Sequence, residues 1–181
     1  LLLILSQGSD KEAVQDCFAK IFDAIDKVEF QGNNVVKMRS LDSGYGGKQD
    51  SEDIPLTKPV LAKGNIEEWL ALMLKEMART VKDIVRSTAG DYESMGLADM
   101  IKKYCAQACL LGIQFMWTTD VQEGLQRMKN DKNAVSGAFK KQAGILSMLS
   151  EMTTKEIPTK MERTKIETLV TIQVHQKDVL E

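Results

Sequence analysis

From residue 65 to the end of the chain, apolar side chains recur at spacings of three and four, and Pro158 is the one proline among them. That periodicity places the apolar residues on single faces of α-helices and leaves little room for any other regular structure. Asn65 and Glu68 in NIEEW open the first helix as cap and partner, and Trp69, Leu70, Met73, Leu74, Met77, Val81, Ile84 and Val85 form its stripe, which fades over Ser87 to Gly90. A second stripe, Leu97, Met100, Ile101, Tyr104, Ala108, Leu111 and Phe115, continues through Trp117, Val121, Leu125 and Met128. It predicts one helix of roughly 30 residues over 97–128, about 45 Å long, with Gly112 and Gly124 as places to bend. NDKN at 130–133 breaks the pattern. Val135, Phe139, Gln142, Leu146 and Leu149 then mark a further helix, which Pro158 stops or resets. The last segment carries Met161, Lys165, Ile166, Leu169, Ile172 and Val179 on one helical face. The stripes are not strict heptads and no 20–50-residue repeat is present, so the fold class is mainly α, an irregular antiparallel helical bundle.

The first third departs from this grammar. Ser9 and Glu12 fit a capping box, and Val14, Phe18, Ile21, Phe22, Ile25 and Val28 follow at helical spacing, predicting a helix from Asp10 to Lys27. FQGNN then supplies turn residues, VVKMRS is β-branched at its start, and Pro55 and Pro59 forbid a continuous helix through IPLTKPVLA. These signals predict a two-stranded β-hairpin of Val35–Ser40 and Ile54–Ala62, the second strand confined to an edge by its prolines. The polar, glycine-rich LDSGYGGKQDSED joins them as a long loop. The resulting organisation is helical over 1–30, a β-hairpin excursion over 31–64 and a helical bundle over 65–181. The opening LLLIL has neither the charged flank and cleavage site of a secretory signal nor the roughly 20 apolar residues of a membrane span, and it reads as the interior of a helix cut through.

Charge narrows the partners. Lys and Arg number 24 against 26 Asp and Glu, so no strong overall field exists to attract nucleic acid or an anionic membrane. Three cysteines do not suggest a disulfide framework and favour a reducing compartment. The longest uncharged stretch, Tyr104 to Thr119, is too short to span a bilayer and reads as a buried helix.

Motifs that could carry chemistry are few and incomplete. GYGGKQ resembles the end of a phosphate-binding loop, but G-x-x-x-x-G-K-[ST] needs Gly at 42 and Ser or Thr at 49, where the chain has Asp42 and Gln49. A solvated loop remains, with Tyr45 as its aromatic contact residue. Cys105 and Cys109 share a helix face, and Cys17 with the sole histidine, His175, would have to converge on them to hold zinc; small buried hydrophobes explain the cysteines better. A Cys–His nucleophile has no feature that would lower a thiol pKa. His175 lies one turn from Asp178, a helix-surface pair without a second acid–base partner. Trp69 and Trp117 are expected in the core, and Glu67, Glu68 and Glu76 on a solvated face. No catalytic, cofactor-binding or metal-binding residue is assigned.

Several segments in order resemble the linker region of dynein heavy chains, which precedes their ring of AAA+ ATPase modules. They are LLLILSQGSDKEAVQDCFAKIFDAI, VVKMRSLDSG, IPLTKPVLAKGNIEEWLALMLKEMARTVKDIV, AQACLLGIQFMWTTDVQEGL and RTKIETLVTIQVHQKDVLE. Their order and spacing cover essentially the whole chain. ILSQGS and DAIDKVEF are most similar to axonemal outer-arm heavy chains. One departure is Tyr104-Cys105-Ala106-Gln107, where the family commonly has proline before Ala-Gln; its loss permits the continuous 97–128 helix.

The resemblance implies an arched mechanical segment without chemistry of its own, truncated at both ends. It would couple ATP hydrolysis in the downstream ring, which holds the ATP and Mg, to minus-end-directed movement on microtubules. It also implies as partners the chain's own AAA+ ring, other dynein heavy, intermediate and light chains, and the microtubule, and an axonemal location in a cilium or flagellum, with cytoplasm as the alternative. The loop 42–53 is the expected point of contact with the ring, and its deletion is expected to leave the fold intact. The rival reading is a free-standing helical adaptor that binds a partner helix in an apolar groove.

Overall fold

The computed structural model describes residues 11–40, 51–92, 94–155 and 159–181. The chain divides into two compact units, Leu1–Asp83 and Ile84–Glu181. The elements of the first are α1 (Lys11–Gln15), α2 (Phe18–Ile21), β1 (Ile25–Gln31), β2 (Asn34–Ser40), β3 (Asp53–Leu61) and α3 (Ile66–Asp91), whose residues from Ile84 onward belong to the second. The second continues with α4 (Leu97–Lys103), α5 (Ala106–Arg127), α6 (Ala134–Lys155) and α7 (Lys160–Leu180). The mainly α class with a small β insertion is what the periodicity predicts. Ser9, the segment Leu1–Leu5, the loop residues 41–50 with Tyr45, and Pro158 lie outside the described residues.

The helix expected over 10–27 is not continuous. It is two short pieces, α1 and α2, and the chain leaves the second through Ala24 at φ 63, a left-handed conformation that ends helical winding. A strand comes next, so the sheet has three strands in the order β1-β2-β3 instead of two. The cause is visible in KVEFQ: Val28 is buried and Phe30 half-buried, while Lys27, Glu29 and Gln31 are exposed, a period of two. Gln31 pairs with Asn34 across the two-residue turn Gly32-Asn33, and Gly32 supplies the φ of +60 that the turn requires.

The edge strand β3 is fastened differently. From the pair Val35–Val60 to the pair Lys37–Pro55, β2 advances two residues and β3 five, so three extra residues bulge from the ladder. Two backbone donors of that bulge turn to α3: Thr57 N–H donates to Thr80 Oγ1 (3.0 Å) and Lys58 N–H to Glu76 Oε1 (2.7 Å). Thr80 is therefore buried yet satisfied. The inner face of the sheet, with Val28, Val35, Met38, Leu56 and Val60, packs with Val14, Phe18 and Phe22 against Ile66, Trp69, Met73 and Met77 of α3. Burying each such side chain contributes about 1.5–3 kcal/mol.

In the second unit, pairs of touching residues set the helix directions. Gly124 lies against Ala134, and Asp120 against Lys141 and Gln142, so α5 and α6 run antiparallel. Gln142 meets Gln173, while Trp117 meets Gln176 and Tyr104 meets Lys165, so α7 runs alongside the α4–α5 segment in the same sense. Met100, Ile101, Tyr104, Ala108, Cys109, Ile113, Leu149, Ile166 and Leu169 form the core. Gly112 permits a close approach to the end of α3, because a Cβ there would stand 3.1 Å from Thr88 Cγ2.

The single helix expected over 97–128 is also interrupted. α4 ends at Lys103, Tyr104 and Cys105 are extended, and α5 starts at Ala106. The break forms without a proline at Cys105 to start α5. Its physical basis is capture of the Tyr104 carbonyl: Lys165 Nζ donates to it at 2.9 Å and Cys109 Sγ at 3.5 Å. Beyond α6, Thr159 caps α7 and accepts from Glu162 N–H while Glu162 accepts from Thr159 N–H, a reciprocal capping box.

Candidate functional site

The most organised polar arrangement is a seam through the second unit. Asp120 on α5 accepts from Lys141 Nζ (2.7 Å) and Gln142 Nε2 (3.1 Å), and Gln142 Oε1 accepts from Gln173 Nε2 (2.6 Å) on α7. Gln142 and Gln173 are fully buried, and the Gln173 amide also reaches the Gln142 carbonyl at 3.2 Å. Three helices are thus keyed to one another at a single level. A side chain that slips by one turn loses a buried hydrogen bond, so the seam fixes register more than it adds stability. Trp117, half-buried, adds a second key by donating its indole N–H to the Gln176 carbonyl at 3.1 Å.

Lys165 is the other buried polar anchor. Its ammonium donates to the carbonyls of Ile101 (3.4 Å) and Tyr104 (2.9 Å) at the C-terminal end of α4, where unpaired carbonyls and the negative end of the helix dipole gather. Nearby, Asp91 accepts from Lys103 Nζ (2.6 Å) and the Tyr104 hydroxyl (2.5 Å). These bonds, the one from Lys103 first, hold the Asp91 carboxyl below its ordinary pKa; burial first, then the bond to Asp91, raises Tyr104.

In the first unit, Arg39 clamps Asp53 through two bonds, Nε to Oδ1 (2.7 Å) and Nη2 to Oδ2 (3.1 Å), and Lys37 pairs with Glu29 at 2.7 Å. The hydrogen bond from Arg39, with its charge and that of Lys37 behind it, holds the Asp53 carboxyl below the usual carboxylate value. A depressed folded pKa means stabilisation that is present above the unfolded value near 3.9 and lost as pH falls through the folded one. Asp53→Asn is therefore expected to lower the melting temperature at pH 7, modestly because the pair is partly exposed, and to converge with the parent chain as pH falls through the lowered Asp53 pKa. Thermal melts across that range check it.

The residues singled out by sequence fall as follows. Trp69 is in the core at 3% exposure. Cys17 and Cys105 are half-buried, Cys109 is buried, and none of the three is in a disulfide. His175 is exposed, and Asp178 pairs with Lys177 (3.4 Å). Among the described residues no three His, Cys, Asp or Glu side chains come together as metal ligands. Glu67 and Glu68 sit in the first turn of α3, where Glu68 accepts from Asn65 Nδ2 (3.1 Å), whereas Glu76 is tied to Lys58 N–H and is not a bare surface charge. Asp53, placed in the loop by sequence, opens β3, and Ser40 and Glu52 are joined by Ser40 N–H to Glu52 O (3.0 Å) and Glu52 N–H to Ser40 Oγ (2.8 Å). A deletion that spares the sheet must stop at residue 51.

A cleft of about 310 Å³ lies between the end of α5 and the start of α6. Of its charged walls, Lys141 pairs with Asp120 and Arg127 with Glu123 (3.1 Å). Asp131, whose Oδ1 accepts the Asn133 N–H at 2.9 Å, is a third carboxylate beside these two cations. Sequence reading missed Gln142, Gln173 and Lys165 as anchors. The available signal was a polar residue standing in an apolar helical stripe, where Gln142 and Lys165 both occur.

Comparison with known proteins finds relatives of this chain. The family described as dynein heavy chain, N-terminal region 2, matches residues 1–88. Over its whole length the chain is 39% identical to dynein axonemal heavy chain 5 of Rattus norvegicus, covering 5% of that protein. It is 36% identical to dynein axonemal heavy chain 8 of Mus musculus and 35% identical to the dynein gamma chain, flagellar outer arm, of Chlamydomonas reinhardtii. In both cases all of this chain is aligned, to 4% of the relative. The chain therefore spans about 5% or less of the length of these relatives. No helix among the described residues is long and apolar enough to cross a membrane.

Proposed function

This chain belongs to the dynein heavy-chain family, and from that premise we propose that it is a mechanical segment of the linker preceding the AAA+ ring. In this reading ATP and Mg act in the ring of the parent chain, and the segment carries strain from there toward displacement along a microtubule, without a reaction of its own. The observation that carries the proposal is the keyed bundle: Asp120, Gln142 and Gln173 lock three helices at one level, and Lys165 pins the end of α4 to α7. Densely packed helices with discrete polar keys transmit force because they resist continuous deformation and change only between defined arrangements. The partners belong to the same reading: the chain's own ring, other dynein heavy, intermediate and light chains, and the microtubule reached through the parent chain, in an axoneme.

The loop between β2 and β3 is the proposed contact with the ring. Because Ser40 and Glu52 are hydrogen-bonded to each other, residues 42–51 can be replaced by a short turn without disturbing β3. In a parent motor this replacement is expected to change microtubule-gliding velocity or the coupling of ATP turnover to movement while the fold is kept. Unchanged velocity and coupling would remove the loop from the mechanism.

A further inference from the structure

The seam in the second unit has a direction. Asp120, a carboxylate paired with Lys141, can only accept hydrogen bonds. Gln142 must therefore turn its Nε2 toward Asp120 (3.1 Å), which leaves its Oε1 facing Gln173. Gln173 must in turn present its own Nε2, to that oxygen at 2.6 Å and to the Gln142 carbonyl at 3.2 Å. The orientation of each amide is thus imposed by the group before it, and the series ends on an acceptor, Gln173 Oε1. That oxygen is buried, and among the described residues no donor reaches it. Gln176 Oε1, three residues on along α7, is buried and without a donor in the same way. Positions three apart on a helix are neighbours, with about 5–6 Å between their Cβ atoms. Gln173 is 0% and Gln176 6% exposed, so bulk solvent does not serve these oxygens, and a buried acceptor without a donor is costly.

We propose that α7 holds one buried water molecule, which donates one hydrogen to Gln173 Oε1 and the other to Gln176 Oε1. Two neighbouring acceptors require a small donor of two hydrogens, and water is the smallest that supplies both. A hard cation fits less well, because two amide oxygens without a carboxylate fall far short of the six to eight oxygens that calcium takes. The frame of the site is fixed on both sides. Asp120 sets the amides that lead to Gln173, and the Gln176 backbone carbonyl accepts the Trp117 indole N–H at 3.1 Å. The water therefore carries the polar seam one turn further along α7, from Asp120 through Gln142 and Gln173 to Gln176.

The test reads the whole chain by NMR, through the γ protons of Gln173 and Gln176, which do not exchange with solvent. In the parent sequence both are expected to show NOE and ROE cross-peaks to water of opposite sign, the mark of a water held in place while the molecule tumbles. Surface water moves too fast to give that pattern. Gln176→Met keeps much of the side chain's volume and removes one of the two acceptors, and in the folded variant the cross-peak at Gln173 is expected to be lost. His175→Ala, changed at the exposed neighbouring position, is expected to keep it. A parent chain whose γ protons lack these cross-peaks overturns the proposal whether or not the variants fold. So does a cross-peak at Gln173 that survives in a folded Gln176→Met chain, or a crystal structure in which the Gln176 amide itself donates to Gln173 Oε1.

Discussion

Phe18→Ala lowers the stability of the first unit by about 3–5 kcal/mol, while Ile21→Ala one turn later changes it by no more than about 0.5 kcal/mol. The Phe18 side chain is completely buried, with its ring 5.5 Å from that of Phe22 and 6.4 Å from that of Trp69. Removing it loses the transfer free energy of an aromatic ring and leaves a cavity where a short helix, the sheet and α3 meet. Ile21 is 37% exposed although it belongs to the same sequence stripe. Chemical denaturation of the two variants separates this structure from a continuous helix over 10–27, in which both residues would face one core. Similar losses for both would contradict the structure.

Lys165→Met has the next largest effect, a loss of about 2–4 kcal/mol in the second unit. Methionine keeps much of the stem's volume, so the change isolates the ammonium that serves Ile101 O and Tyr104 O. The change takes the ammonium from both carbonyls and leaves the one at Tyr104, on which the break between α4 and α5 depends, with the weak Cys109 thiol at 3.5 Å. Lys160→Met, at an exposed position in the first turn of α7, is expected to stay within about 0.5 kcal/mol. Hydrogen exchange of the α4 and α5 amides, together with denaturant midpoints, reads the effect. Equal behaviour of the two variants would show that the Lys165 amine anchors nothing.

Much of the helical architecture was legible because its stripes are long. The helix opened by Asn65, the break at 130–133 and the last two helices fall where periodicity puts them, and β2 and β3 lie within a residue of their expected limits. The errors share a cause: a three-and-four pattern continued across a point where the backbone changes. At Ala24 the change is a left-handed residue that is not glycine, so composition gave no warning. The alternation in KVEFQ was present, but Val28 also fits the helical stripe begun at Val14, and the longer pattern prevailed. At Tyr104-Cys105 the helix is interrupted by a lysine 61 residues away in sequence, a long-range cause that local spacing does not contain. The anchors were hidden in the same way. Gln142 and Lys165 occupy apolar stripe positions because they are buried, and only their partners on other helices show that burial is compensated by hydrogen bonds.

In the proposed function the segment carries force through keyed helices and performs no chemistry. Gliding velocity and ATP turnover, measured together in a parent dynein motor bearing Gln142→Ala and Gln173→Ala, test this most directly. Both changes lie within the bundle and remove the key between α6 and α7. The prediction is a velocity reduced severalfold with ATP turnover per motor retained, so that hydrolysis proceeds but less of it becomes movement. Turnover that falls in step with velocity, or both quantities unchanged in a variant that has lost the key, would contradict it.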